Sequence, residues 1–160
     1  MAADYTVIIR VRQRFGDNVS GFLNGPKRDW NEYPIEAEAP YVGLAKDFPF
    51  RCPAINRSET AILQFNSLGV SSWANVIQVN GVDVPGGISV GPEWIPITPR
   101  VPLWTSHLLL VDGNALAEQN VLHIESVLAG ENNYDDFIID NAVIWFKTAT
   151  SRPVVGDTRK

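Results

Sequence analysis

The chain has 160 residues, 45% of them apolar, and a net charge of −5. A chain of this length hides roughly 70% of its unfolded surface in a core, so it needs no disulfide, and its one cysteine, Cys52, can form none internally. The 13 basic residues are scattered rather than gathered in a stripe, which excludes the counterion-displacing footprint of a nucleic-acid binder, and no apolar run approaches the ~20 residues of a membrane-spanning helix.

In the opening stretch MAADYTVIIRVRQR the apolar residues precede the charges, the reverse of a signal peptide. Synthesis as a soluble cytoplasmic protein is therefore expected, with any place in an extracellular or virion assembly reached through a partner or lysis. Cys52 lies between Arg51 and Pro53 with no His or Cys at ligand or redox spacing, and reads as a filler thiol. Residues 5 to 13 predict the first strand, in which Val7, Ile9 and Val11 alternate with Ile8, Arg10 and Arg12. From 15 to 47 the periodicity disappears, which predicts a long irregular loop whose Phe22, Trp30, Tyr33 and Tyr41 either pin it to the domain or face a partner. FPFRCPAINRSE, residues 48–59, carries two prolines that deny ladder donors and predicts an edge strand or a strap. TAILQFN follows as a core strand, with Ala61, Leu63 and Phe65 opposite Ile62 and Gln64.

The stretch NVIQVNGVDVPGG, from Asn75 to Gly87, joins two Val- and Ile-rich runs at Asn80-Gly81, a dipeptide that tolerates positive φ at both centres of a type I′ turn. The later strands are expected to lie beside this hairpin. Residues 88 to 102 place Pro92, Pro96 and Pro99 around Trp94 and Ile97, which predicts a loop with short extended pieces. WTSHLLLV sets Leu108 and Leu110 against His107, Leu109 and Val111; apolar on both faces, it is expected to be buried on both. DGNALAEQN supplies one or two helical turns. VLHIESVL then predicts a half-buried strand, with Leu122, Ile124, Ser126 and Leu128 opposite Val121, His123, Glu125 and Val127.

DFIIDNAVIWFK reads as the last strand, paired with the one before it. Its Asp140 shares a face with Ile138, Ala142, Ile144 and Phe146, where a carboxylate must be hydrogen-bonded, ion-paired or metal-bound. The remaining TATSRPVVGDTRK shows no alternation and predicts a flexible tail. Strands separated by turns, with helical patterns nearly absent, predict an all-β fold: one antiparallel β-sandwich domain over residues 1–147 and a tail over 148–160.

Three stretches, ETAILQFNSLGVSSWANVIQVNGVDVPGG, LWTSHLLLVDGNALAEQNVLHIESV and DDFIIDNAVIWFK, taken in this order, resemble the galactose-binding-like jelly-roll family. That family includes many carbohydrate-binding modules and the sugar-binding domains of large glycosidases, and the likeness covers about residues 59 to 147. The resemblance implies a jelly-roll sandwich that binds sugars through loop aromatics or a concave sheet. It also implies a calcium ion near the last strand, for which Asp135, Asp136 and Asp140, with Glu59, are the candidate oxygen ligands. The alternative for the same residues is structural: Asp140 accepts backbone N–H bonds, while Asp135 and Asp136 shape a turn.

No G-x-S-x-G elbow, H-E-x-x-H, P-loop or Rossmann fingerprint occurs in the chain. His107 and His123 fall in predicted strands without further ligands for zinc. A small sandwich rarely encloses the two carboxylates, roughly 5 to 10 Å apart, that glycoside hydrolysis needs. A non-enzymatic binding role is therefore expected, and the asset for it is five tryptophans. Trp30, Tyr33, Trp94 and Tyr134 lie in predicted loops and are the candidate glycan platforms, whereas Trp73, Trp104 and Trp145 lie in strands or at their ends and are expected to pack inside. The alternative function is a structural or adaptor subunit of a larger particle, such as a virion, phage tail or contractile injection machine, that binds neighbouring subunits or further copies of itself.

Overall fold

The computed structural model describes residues 2–17, 39–91, 94–95, 101–128 and 134–149, with 94–95 and 101–102 described by their backbone. Its strands are β1 (Ala2–Ile9), β2 (Gln13–Phe15), β3 (Ala45–Arg51), β4 (Ala61–Leu68), β5 (Val76–Val79), β6 (Val82–Asp83), β7 (Trp94–Ile95), β8 (Val101–Pro102), β9 (Thr105–Val111), β10 (Gln119–Glu125) and β11 (Phe137–Thr148). A 3-10 turn over Gly113–Ala115 precedes β10. The first sheet runs β1-β11-β4-β9 with β2 also on β11, the second runs β3-β10-β5-β6, and β7-β8 is a separate ribbon. Every ladder is antiparallel, and the two larger sheets pack face to face as a β-sandwich. Among the described residues no helix is long and apolar enough to cross a membrane.

Alternation dictates what the sheets bury. In β4, Ala61, Leu63 and Phe65 point inward while Ile62 and Gln64 point out, and in β10 Leu122 and Ile124 are buried opposite Val121 and His123. Leu63, Ile124 and Ile144 share one interior with Phe15, Phe65 and Phe137, and the rings of Phe15 and Phe137 stack at 5.2 Å. The Asn80-Gly81 turn has φ of 52° and 78°, as a type I′ hairpin requires. β3 is an edge strand, which accommodates Pro49.

The hairpin is not the element that the other strands gather around. It forms the edge of the second sheet, whereas the twelve residues of β11 take β1 and β2 on one side and β4 on the other. β10 and β11 are not paired either. Both edges of β10 are taken by β3 and β5, so the chain crosses to the opposite sheet and leaves, among the described residues, an isolated bridge between Leu128 and Tyr134.

Asp140 does not share the face of Ala142, Ile144 and Phe146. The β4 register shifts between Asp140 and Val143, with Asn141 at φ 53°, and this bulge flips the alternation. Phe137 and Ile139 face the core before it, Ala142, Ile144 and Phe146 after it, and Asp140 is left on the outer side with Ile138. The β1 pairing is irregular between Val7 and Ile9, and Val11 lies past the end of β1 and is exposed.

Nor is β9 buried on both faces. It is an edge strand paired with β4, so His107 and Val111 are buried while Leu108 and Leu110 are 70% and 63% exposed. Both ends of the expected loop over 15–47 are built into the sandwich, and residues 18–38, with Phe22, lie outside the described residues. Phe15 is in β2 and buried, Arg14 exchanges backbone bonds with Pro40 and Val42, and β3 begins at Ala45. Of the expected tail over 148–160, Thr148 belongs to β11 and the Ala149 amide donates to Ala54, and residues 150–160 lie outside the described residues.

Candidate functional site

One end of the sandwich is assembled around a carboxylate. Asp135 precedes β11 and is buried, and it accepts hydrogen bonds from the Ser71 amide, the Ser71 hydroxyl at 2.6 Å, the Ser72 amide at 2.9 Å and the Asn75 carboxamide. Its own amide donates to Val127, its carbonyl accepts from the Ser126 hydroxyl, and Val127 in turn donates to Asn75 Oδ1. Loops far apart in sequence are thus clamped onto one side chain. A buried carboxyl group is tolerated here because donors converge on it.

Trp73 sits at the tip of the clamped loop and is 70% exposed. It was expected inside. It is outside because β4 ends at Leu68 and β5 begins only at Val76, so Trp73 belongs to the connection rather than to a strand. Tyr134, adjacent to Asp135, is half-buried. Trp94 lies in β7 opposite Pro102, and Trp30 and Tyr33 lie outside the described residues. Of these four residues the structure places Tyr134 beside Asp135, and Trp73 lies on the connection that Asp135 clamps.

Asp136 is buried beside Gly16, where a Cβ would collide with its carboxylate. Burial pushes its pKa up to about 7, with the nearby Asp17 charge adding to the shift and Arg14 opposing it. Tyr41 completes this corner by donating its hydroxyl to the Gly16 carbonyl at 2.8 Å while Arg14 lies over its ring.

The anticipated calcium ligands do not converge. Asp135 faces N–H and O–H donors, and Asp140 on the outer side accepts from Arg12 Nε at 3.3 Å. Glu59 pairs with Lys147. Oxygens already turned toward donors are not a cation cradle, and among the described residues no group of three or more His, Cys, Asp or Glu side chains is placed to hold a metal.

The histidines are structural or surface groups. His107 stacks on Phe65, lies 2.7 Å from the Ser67 hydroxyl, and has its pKa lowered by burial. His123 sits on the outer side of the second sheet, 2.7 Å from Asp47, and that hydrogen bond raises its pKa. Cys52 is buried, its thiol pushed up to about 12 chiefly by desolvation. An open groove of about 530 Å³ is lined by Pro49, Arg51, Asn80, Gln119 and Val121. Its polar groups are largely committed, because Asn80 bonds Ala115, Asn120 and Val121, and Arg51 pairs with Glu118.

The outer face of the first sheet is the second unusual surface. Tyr5, Trp145, Ile62 and Leu110 form one register row across β1, β11, β4 and β9, and the next row is Val7, Val143, Gln64 and Leu108. Tyr5 is 56% exposed, Trp145 43% and Ile62 40%. The Tyr5 and Trp145 rings lie 5.1 Å apart, and Trp145 Nε1 donates to Gln64. Trp145, like Trp73, was expected inside. Trp104 is partly buried against Ala39, Leu68 and Ile138.

No family model matches the chain, and no curated protein matches it significantly. Among solved structures it is similar to wild-type BuGH86 in complex with neoagarooctaose, at 11% identity and a TM-score of 0.42, over 89% of this chain and 19% of that one. A variant of BuGH86 with the same oligosaccharide gives the same values. The chain thus spans about a fifth of the length of these structures.

Proposed function

We propose that the chain is a non-catalytic carbohydrate-binding module of the galactose-binding-like jelly-roll type, with Trp73 as its stacking platform. The observation that carries this reading is an indole 70% exposed on a loop whose backbone amides are fixed by a buried carboxylate. An exposed tryptophan on a rigid loop gains little for stability. It offers a preorganised apolar plate for the C–H face of a sugar ring, at small ordering cost on binding. Asp135 and Asp136 serve the architecture of this end rather than a reaction, the first as a hydrogen-bond hub and the second as a desolvated group against Gly16. A glycan array followed by calorimetric titration of the best hit tests the proposal. Trp73→Ala is expected to bind at least about tenfold more weakly, a loss of ~1.4 kcal/mol, with its melting temperature unchanged. A silent array, or equal binding by the variant, sinks it.

The outer row of Tyr5, Trp145, Ile62 and Leu110 favours a second reading, a subunit of a larger assembly. Contiguous exposed aromatic and aliphatic side chains with few charges match the interior of protein interfaces. Shielding of Trp145 from a soluble quencher on mixing with neighbouring components supports this reading, and unchanged quenching counts against it.

A further inference from the structure

We infer that β9 pairs edge to edge with β9 of a second copy of this chain, continuing the first sheet across a two-fold axis. The inference deepens the assembly reading and is independent of the Trp73 site. A sheet edge presents unpaired N–H and C=O groups, and proteins blunt such edges with charge, proline, bulges or shortness. The other outer edges of this sandwich carry such devices. β3 has Pro49 with Lys46, Asp47 and Arg51, β6 is two residues long, and β1 has Asp4 and the irregularity between Val7 and Ile9.

β9 has none of these. Its seven residues, TSHLLLV, contain neither proline nor formal acid or base beyond His107, which is buried, and its register with β4 is unbroken from Thr105 to Val111. Among the described residues, its backbone bonds to no element other than β4. Leu108 and Leu110 are 70% and 63% exposed beside that open edge.

The occupant that suits this edge is the strand itself. A two-fold axis through Leu109 sets Leu108 opposite Leu110 of the other copy, and Leu110 opposite its Leu108. Each exposed leucine then gains an apolar cross-strand neighbour, and no charge is brought against a like charge. The row from Tyr5 to Leu110 runs on into the Leu108, Gln64, Val143 and Val7 row of the second copy, with both outer faces on one side. A two-fold contact of this kind closes on itself and stops at a dimer.

Sedimentation velocity of the full chain from micromolar to millimolar concentration, together with hydrogen exchange at both extremes, tests the pairing. The expected result is a concentration-dependent dimer in which exchange slows in β9, with Leu110→Lys shifting dimerisation at least about tenfold toward the monomer by placing charge at the edge. Leu110 is exposed, so the variant is expected to fold, and the wild-type exchange result stands without it. A chain monomeric throughout overturns the pairing. Association that leaves β9 exchange unchanged also overturns it, while leaving the assembly reading standing through another surface. Protection of β9 that appears only on adding another protein or a glycan assigns the edge to that occupant and overturns self-pairing.

Discussion

Asp135 shows how one side chain can fix a loop it does not belong to. Its oxygens satisfy two backbone amides, a hydroxyl and a carboxamide, all on residues 71–75. Removing the carboxylate strands those donors in a buried site, so Asp135→Ala is expected to cost about 3 kcal/mol in urea denaturation, with Asp135→Asn intermediate because one acceptor oxygen survives. Asp135→Asn is also expected to weaken glycan binding while Trp73 remains in place, because the loop would no longer be held for its ligand. Unchanged affinity in that variant would show that rigidity of the loop is not what makes the platform. The sequence does not reveal this hub, since the partners of Asp135 lie about sixty residues upstream and SLGVSSW reads locally as a polar turn.

At the scale of the element, period-two patterning was sufficient for β4, β10 and the β5-β6 hairpin, where each strand keeps one phase throughout and the turn is chemically specific. It failed for β9 and β11 for separate reasons. Alternation cannot distinguish an apolar outer face from an inner one, so Leu108 and Leu110 read as core. A single bulge residue reverses phase midway, so Asp140 was assigned to the wrong side. The bulge yields a sharp prediction. Deleting Asn141 takes out the extra residue, so β11 alternates without a break and Phe137, Ile139, Ala142, Ile144 and Phe146 all still face inward, which is expected to leave cooperative unfolding by near-ultraviolet circular dichroism intact. Asn141→Val keeps the residue count but forces a β-branched side chain to φ 53°, at an expected cost of about 1–2 kcal/mol. A deletion variant that loses cooperative unfolding would mean that the bulge does more than set the phase of β11.

At the scale of the whole molecule, three of the described groups have shifted titrations that bear on stability between about pH 4 and 8, and their signs differ. Asp136 has a folded pKa of about 7, above its unfolded value of 3.8, so its contribution is full below 3.8 and is lost as pH rises through 7. His123 is also raised, by Asp47 first, so its contribution is full below 6.5 and is lost as pH rises through its folded value. His107 is lowered by burial and acts oppositely: its contribution is present above 6.5 and is lost as pH falls through its folded value. From about pH 4 to 6.5 Asp136 and His107 oppose one another, whereas above 6.5 only the two raised groups still titrate, and both weaken the fold. The urea midpoint of the wild-type chain is therefore expected to decline from pH 6.5 to 8. In Asp136→Asn the neutral carboxamide removes the Asp136 part of the pH dependence, so the variant gains on the wild type as pH rises from 5 to 7, and the difference levels off beyond. Midpoints at pH 5, 6, 7 and 8 for both chains check this. A difference that stays constant across the series would mean that Asp136 keeps its ordinary acidity, and that the Gly16 corner is open to water rather than closed over a desolvated carboxyl group.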